Sequence, residues 1–192
     1  PLLNLFTFHD WRFAYRRELL PTSIAPVNAA IIMQLAKEYF TENAQVLDPF
    51  CGTGTMLIER RMFGRTGSMY GLDILEEAIL KARVNTESAR VKANYINRDF
   101  FDFRHEYRFD EVITNLPGCS KQHGEEEITE LYQRFLDRIP ELIKREALLV
   151  LYASELKLLT ACVRNRREFR KLREEILNER EGSGVLILRY VE

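Results

Sequence analysis

The chain has 192 residues, with 46% hydrophobic and 30% charged side chains and a formal net charge of −1. This length and composition predict one globular domain with a full hydrophobic core. The near-neutral charge excludes a purely basic nucleic-acid-binding module, so an RNA-directed protein of this kind would need clustered charge or a second module. We expect residues 1–192 to form a single domain, with residues 1–24 as its N-terminal segment.

The sequence carries no signal for a membrane, a secretory pathway or a metal. No apolar run approaches the roughly 20 residues of a spanning helix, and the first residues lack the pattern of a signal peptide. The cysteines are too few for a disulfide framework and suit a reducing cytoplasm, where we expect the protein to be. The histidines lack metal-ligand spacing, so we expect no metal site. These residues are Cys51, Cys119, Cys162, His9, His105 and His123.

Helical and extended patterns alternate along the chain after residue 25. The predicted helices are 26–40, 54–63, 75–88, 125–144 and 155–164, and the predicted strands are 45–48, 68–72, 93–97, 110–114, 147–152, 169–178 and 184–191. Repeated strand–helix units predict an α/β, Rossmann-like, seven-stranded mixed sheet with helices on both faces. The short turn at 179–183 predicts a C-terminal antiparallel hairpin at the sheet edge.

The segment from Val46 to Thr55 is the most informative part of the chain. It reads as an apolar strand, an acidic strand end, a turn with Gly52 and Gly54, and a helix start. Asp73 ends the next strand and follows Gly54 by 19 residues. An acidic residue about 20 positions after a glycine turn is where a ribose hydroxyl pair would be held. The spacing therefore favours a nucleotide-like cofactor over a plain turn.

Four polar residues follow the predicted strands, namely Asp48, Asp73, Asp99 and Asn115. Each has an ordinary structural alternative, since aspartate often caps a helix or ends a strand. The carboxyl ends of parallel strands share one edge of an open sheet, so the four groups can converge there. The sequence thus predicts one pocket at that edge.

Three motifs together resemble a known family: Asp48 to Thr55 (DPFCGTGT), Gly71-Leu72-Asp73 and Asn115-Leu116-Pro117. They are similar to class I S-adenosylmethionine-dependent methyltransferases, and more narrowly to the RNA guanine-N2 methyltransferases that often carry an N-terminal THUMP domain. Glu59 and the helical stretch 82–85 (ARVN) also fit. The chain starts with proline, and the resemblance leads us to expect that an upstream RNA-binding domain is missing.

The resemblance implies S-adenosylmethionine as cofactor and S-adenosylhomocysteine as product. Gly52 and Gly54 would let the backbone pass the methionine part of the cofactor, and Asp48 would face its ammonium. Asp73 would accept from both ribose hydroxyls, which requires two acceptor oxygens. The implied cofactor-binding set is Thr22, Ser23, Asp48, Pro49, Cys51, Gly52, Gly54, Thr55, Asp73, Ile74, Asp99, Phe100 and Asn115.

The same resemblance assigns roles around the adenine and at the methionine end. Ile74 would pack on the adenine ring, Asp99 would accept from the adenine amino group, and Phe100 would flank it. Thr22 and Ser23 precede the first helix and would close over the methionine end of the cofactor.

The resemblance also implies a catalytic site, formed by Asn115, Leu116 and Pro117. An exocyclic amine is a poor nucleophile because its lone pair is delocalised into the ring. The Asn115 side-chain oxygen and the Leu116 carbonyl could accept its two N–H groups and turn the lone pair toward the methyl carbon. Pro117 would fix the turn. Positioning is then the main contribution of the protein, and no strong base is required.

Gly118 departs from the family pattern, which usually places an aromatic residue after the proline to stack on the target base. Stacking of this kind is worth about 1–3 kcal/mol per base. Alternative stacking partners are Phe50, His123 or an N-terminal aromatic. Cys119 invites a different hypothesis, a cysteine nucleophile for cytosine-C5 methylation, but an incidental cysteine is the simpler interpretation.

A basic run near the C-terminus could contact phosphates or could equally be a solvated surface. Its members are Arg164, Arg166, Arg167, Arg170, Lys171 and Arg173.

The sequence thus indicates an S-adenosylmethionine-dependent N-methyltransferase acting on an exocyclic amine, with guanine N2 of tRNA or rRNA as the first hypothesis. Adenine-N6 methylation of nucleic acid uses the same kind of loop and remains an alternative. A cofactor-binding paralogue without methylation activity is another, and Gly118 is the feature that favours it. The expected partner is RNA, no membrane is expected, and the sequence predicts no oligomeric state.

Overall fold

The computed structural model describes residues 11–120 and 123–192. The first ten residues of the expected N-terminal segment, including His9, lie outside them. The helices are α1 (Pro26–Ala36), α2 (Thr55–Met62), α3 (Glu76–Ser88), α4 (Glu125–Arg138) and α5 (Leu156–Val163). The strands are β1 (Ala44–Asp48), β2 (Thr66–Asp73), β3 (Asn94–Asn97), β4 (Phe109–Asn115), β5 (Ile143–Ala153), β6 (Phe169–Asn178) and β7 (Ser183–Tyr190).

The strands form one seven-stranded sheet in the order β3-β2-β1-β4-β5-β7-β6. The first five strands in this order are parallel, whereas β7 runs antiparallel to both β5 and β6. This confirms the predicted mixed sheet and C-terminal hairpin. The last strand of the chain lies inside the sheet, and β6 forms the edge.

Each face of the sheet has its own hydrophobic core. Helices α1, α2 and α3 cover one face, and α4 and α5 cover the other. Strand β5 serves both cores in alternation: Leu149 and Leu151 face α4 and α5, whereas Leu148 and Val150 face α1 to α3. Fully buried strands read as continuous apolar runs because both faces are covered.

Two predicted helices extend too far. Helix α1 ends at Ala36 and continues as a 3-10 turn over Lys37–Tyr39. The predicted helix 125–144 ends at Arg138, where a 3-10 turn over Ile139–Glu141 carries Pro140 and leads into β5 at Ile143. Proline has no backbone N–H and blocks a continuing α-helix, which explains the second error. In the described residues, no helix combines the length and apolar character needed to cross a membrane.

Candidate cofactor and acceptor site

The predicted polar strand ends lie along one edge of the sheet. Asp48 is paired in register with Gly71, Asp73 with Asn97, and Asn115 with Tyr152. Asp99 follows β3 by two residues. Because β3, β2, β1 and β4 are successive neighbours, the structure brings these four sequence-predicted residues to one continuous edge.

Asp48 is a buried carboxylate with little compensation. Its side chain is 1% exposed, and its Oδ1 accepts a hydrogen bond of 3.2 Å from the backbone N–H of Phe50. Its Oδ2 is buried without a well-formed hydrogen bond among the described residues, and the nearby hydroxyl of Thr114 partly offsets the effect of burial by lowering the pKa of Asp48. Burial raises the pKa of Asp48 to about 7, and the nearby charge of Asp73 adds to that shift. The site therefore holds a carboxyl group suited to an incoming cation.

The glycine turn, residues 49–54, is held from the neighbouring strand. Asp73 Oδ2 accepts from the backbone N–H of Gly52 at 3.0 Å, and its Oδ1 accepts from the N–H of Leu75 at 2.9 Å. Each carboxylate oxygen has a further lone pair, so Asp73 keeps acceptor capacity.

Gly52 and Gly54 are needed for different reasons. Both have positive φ angles, 49° and 81°, which favour glycine. A β-carbon on Gly52 would meet nothing within 4 Å, so Gly52 borders open space. A β-carbon on Gly54 would lie 2.4 Å from the hydroxyl of Tyr95. Gly54 therefore makes room for a buried tyrosine, and Gly52 is the glycine that leaves space for a ligand.

The residues expected around an adenine ring differ in whether they are accessible to a ligand. Ile74 is 68% exposed at the sheet edge and is open to a ligand. Asp99 Oδ1 accepts from the N–H of Phe101 and caps a short 3-10 turn. Phe100 is 1% exposed, and its ring packs between those of Phe50 and Phe135, with centroids 5.6 and 5.4 Å away. The ring of Phe100 thus belongs to the core.

The remaining predicted cofactor residues lie at or beside the glycine turn. Pro49, Cys51 and Thr55 are buried there, and the hydroxyl of Thr55 has no partner among the described residues. Thr22 is exposed, whereas Ser23 is half-buried and its Oγ lies 3.1 Å from Oγ1 of Thr53. The structure therefore places Ser23 directly against the turn.

A segment that we call the N-terminal strap, residues 15–23, is fixed to the glycine turn by Asn85 of α3. Asn85 is fully buried, and its Oδ1 accepts from the N–H groups of Arg17 and Glu18, both at 2.9 Å. Its Nδ2 donates to the carbonyls of Glu18 and Thr53 at 3.0 and 3.1 Å. One side chain thus joins the strap to the turn through four hydrogen bonds.

The strap has a second buried anchor. The hydroxyl of Tyr15 donates to Oε1 of Glu59 on α2, and both side chains are less than 5% exposed. Burial raises the pKa of Tyr15 above its ordinary value, and the hydrogen bond to Glu59 acts in the same direction. Burial also raises the pKa of Glu59. This contact gives Glu59, which the sequence motif singled out, a structural role in docking the strap.

Asn115 ends β4 and begins the loop that the sequence predicts to be catalytic, residues 115–119, which we call the reaction loop. The N–H of Leu116 donates to the carbonyl of Tyr152 at 2.9 Å, and the carbonyl of Pro117 accepts from the hydroxyl of Tyr132 at 3.0 Å. These bonds fix the loop on both sides of the Leu116 carbonyl, and Asn115 is half-buried beside it. The arrangement can present two acceptors to an amine.

The two stacking substitutes that were named by number differ in exposure. Phe50 is half-buried against the rings of Phe100 and Phe135. His123 is exposed, and its Nδ1 lies 2.9 Å from Oε2 of Glu127 on the following helix.

The basic run lies at the opposite end of the sheet from the reaction loop. It follows the end of α5 and enters β6, which starts at the amino ends of β4 and β5. Several of its members pair with acids: Arg166 with Asp137 at 2.7 Å, and Lys171 with Glu174 at 2.7 Å. The run is therefore distant from the predicted site. Within the described residues, no cluster of acidic, histidine or cysteine side chains could hold a metal ion.

Comparisons with known proteins agree with this architecture. The chain superposes on TrmN from Thermus thermophilus with a TM-score of 0.74 and 24% identity, covering 94% of this chain and 53% of that one. It also superposes on a Listeria monocytogenes protein assigned to the class I S-adenosylmethionine-dependent methyltransferases, with a TM-score of 0.67 and 17% identity over 87% of this chain and 60% of that one. The fold is that of the class I S-adenosylmethionine-dependent methyltransferases.

A family model described as "RMKL-like, methyltransferase domain" matches residues 14–181. The chain belongs to this methyltransferase family. It is similar to the tRNA (guanine(10)-N2)-dimethyltransferase of Methanothermobacter thermautotrophicus, with 30% identity over 68% of this chain and 38% of that protein. The same enzyme of Pyrococcus abyssi is 29% identical over 70% of this chain and 41% of that protein. The chain thus spans about two fifths of these curated relatives.

The sequence interpretation gave no role to three residues that organise the site. They are Asn85, Tyr95 and Tyr132. One signal was available for Asn85, which follows Ala78 by seven positions and Ala82 by three and therefore lies on the buried face of α3. An amide on a buried stripe needs hydrogen-bond partners, so it marks a contact with another segment.

Proposed function

We propose that this domain transfers a methyl group from S-adenosylmethionine to the N2 amine of guanine in tRNA. The observation that carries the proposal is the reaction loop beside a continuous edge of acidic strand ends. The similarity to curated tRNA guanine-N2 dimethyltransferases supports the acceptor. The three unpaired cysteines support a reducing, cytoplasmic setting.

The residues at the edge fit the proposed cofactor. Asp48 has a buried oxygen without a partner and would hold the cofactor ammonium, which would relieve the cost of that lone carboxylate. Asp73 keeps lone pairs for two ribose hydroxyls, and exposed Ile74 offers an apolar surface to adenine. Gly52 leaves open space at the turn. When bound, the cofactor supplies an activated methyl group on a sulfonium leaving group.

The chain contributes positioning at the acceptor. The Asn115 side-chain oxygen and the Leu116 carbonyl would accept the two N–H groups of the guanine amine and orient its lone pair. The fixed positions of the Leu116 N–H and the Pro117 carbonyl hold these acceptors in place. Holding two reactants in a reactive geometry is a large part of the catalytic effect in such reactions.

The test is methyl transfer to unmodified tRNA transcripts with labelled cofactor, followed by nucleoside analysis. We expect N2-methylated guanosine, and we expect Asn115→Ala to lose at least about 100-fold in transfer while cofactor affinity by calorimetry stays within about twofold. Methylated adenosine, or no product, would contradict the proposal. Full transfer by Asn115→Ala would remove this loop from the mechanism.

A further inference from the structure

Glu155, at the corner between β5 and α5, contacts the end of the reaction loop. Its Oε1 accepts a hydrogen bond of 3.0 Å from the backbone N–H of Cys119. Glu155 and Cys119 are 36 positions apart, so this bond ties the loop after β4 to the end of the neighbouring strand. A carboxylate is a stronger acceptor for a backbone N–H than a neutral group.

The same carboxylate occupies the space beside Gly118. A β-carbon on Gly118 would lie 2.8 Å from Oε2 of Glu155, 3.0 Å from Oγ of Ser154 and 3.1 Å from its Cβ. Contacts this short force a neighbour to move. A side chain at position 118 and the observed position of Glu155 therefore exclude each other, which gives a physical reason for the glycine where an aromatic residue was expected.

The anchors of the loop are distributed over three elements. Leu116 is bonded to β5 through Tyr152, Pro117 to α4 through Tyr132, and Cys119 to the corner through Glu155. The Oε2 atom of Glu155 is buried and has no partner among the described residues. Burial raises the pKa of the Tyr132 hydroxyl and the Glu155 carboxylate adds to that shift, so Glu155 also lies beside the side chain that anchors Pro117.

We propose that Glu155 is a positioning residue for methyl transfer. Its carboxylate fills the space that a side chain at position 118 would need, and it fixes the reaction loop through the N–H of Cys119. This inference rests on the proposed function, because the loop is its acceptor site. Glu155 acts through the backbone of the loop and so on the position of the Asn115 and Leu116 acceptors. A misplacement of about 1 Å at such a site costs about 100-fold in rate.

The experiment compares Glu155→Ala, Glu155→Gln and a matched control, Asp110→Ala. Asp110 Oδ2 likewise accepts a backbone N–H, that of Gln45 at 2.9 Å, but it lies at the amino end of β4. We expect Glu155→Ala to lower kcat by about 10- to 100-fold with cofactor Kd within twofold, and Glu155→Gln to restore most of kcat because its amide oxygen can accept the same bond. Asp110→Ala should keep kcat. Equal kcat for Glu155→Ala and Asp110→Ala would overturn the proposal.

A readout without methyl transfer separates the two proposals. Exchange of the Cys119 amide hydrogen, followed by NMR, should be fast in Glu155→Ala and slow in the wild type and Glu155→Gln. If the wild type methylates no RNA but this pattern holds, the proposed function fails while the anchor stands. Equal exchange in all three proteins would overturn the anchor itself.

A double variant tests the link with position 118. Gly118→Ala should lower kcat about tenfold by displacing Glu155, and it should cost clearly less when Glu155 is already alanine. If the kcat loss of the double variant equals the product of the two single losses, positions 118 and 155 act independently and the proposed link is wrong.

Discussion

Two buried carboxylates on neighbouring strands of the sheet have opposite surroundings. Glu111, near the start of β4, is fully buried and forms a two-point ion pair with Arg60, at 2.7 and 3.1 Å. It also accepts the N–H of Thr41 at 2.9 Å. Asp48, at the end of β1, is equally buried but has one hydrogen bond and no cation. One charge is matched within the fold, and the other is left open.

The difference distinguishes the amino end of the sheet from the end at which we propose that the cofactor binds. At the amino ends, Arg60 also donates to the carbonyl of Thr41 and lies 3.9 Å from the centroid of the Phe40 ring, whereas its Nη1 and the Oε1 of Gln45 have no partner among the described residues. At the carboxyl ends, Asp48, Thr55 and Thr114 each keep a buried polar atom without a partner in the described chain. Unpaired buried atoms occur at both ends, and the feature that sets the carboxyl end apart is a buried carboxylate without a cation, which suits a positively charged ligand.

The largest expected effect comes from breaking the matched pair. Arg60→Leu leaves the Glu111 carboxylate buried without its cation, so we expect the free energy of unfolding to fall by about 3–5 kcal/mol in urea titrations. The double variant Arg60→Leu/Glu111→Leu should recover much of this loss, because it removes the buried charge as well. A loss below about 1 kcal/mol in the single variant would show that the pair does not support the sheet.

At the carboxyl ends of the strands we expect a smaller effect, which concerns cofactor binding rather than stability. Asp73→Ala removes the proposed ribose acceptor together with the bond to Gly52, so cofactor affinity by calorimetry should fall by at least about 100-fold. Because Asp73 is partly exposed, the unfolding free energy should change by only about 1 kcal/mol. Unchanged affinity would remove Asp73 from the site.

Asn85 should affect both stability and cofactor binding, because all its hydrogen bonds are made within the fold and it lies beside the glycine turn. Asn85→Leu leaves the strap and the Thr53 carbonyl without partners, and we expect a loss of about 1–3 kcal/mol in stability and about tenfold in cofactor affinity. Thr86→Val is the matched control, since it breaks a buried bond of 2.7 Å to Tyr95 one position along the same helix. Equal affinity losses in both variants would reduce Asn85 to a purely structural role.

The smallest effect concerns the pH dependence created by Asp48. Its pKa of about 7 lies above its ordinary value, so the folded protein holds this proton between about pH 4 and 7 while the unfolded chain releases it. The contribution of this group to the free energy of unfolding is therefore fully present below about pH 4 and is lost as the pH rises through 7. The cofactor ammonium would favour the carboxylate, so affinity should rise about tenfold from pH 6 to 8. Asp48→Asn should flatten both profiles, and an unchanged affinity profile would exclude Asp48 as the cation partner.

Local signals in the sequence are enough to predict the fold, but they predict the organisation of the site only in part. Strand ends such as Asp48 and Asn115 could be located because apolar runs and turns set the alternation of elements. The predicted end of α4 lies too late because the apolar pattern continues past Pro140, although the missing N–H of this proline ends the helix. The contacts of Asn85 and Glu155 join residues 32 to 68 and 36 positions apart and leave no local pattern. Phe100 is the opposite case, because the sequence predicts a contact with the ligand whereas its ring packs in the core.

The interior position of β7 has a consequence for synthesis of the protein. Strand β6 pairs only with β7 in this sheet, so it cannot join the sheet before β7 has been made. Until then, the outer edge of β5, with its apolar run at Leu148–Leu151, remains unpaired. Such an edge can pair with other chains. A ribosome that stalls before residue 183 therefore releases a chain lacking two strands of its sheet, with an edge prone to aggregation.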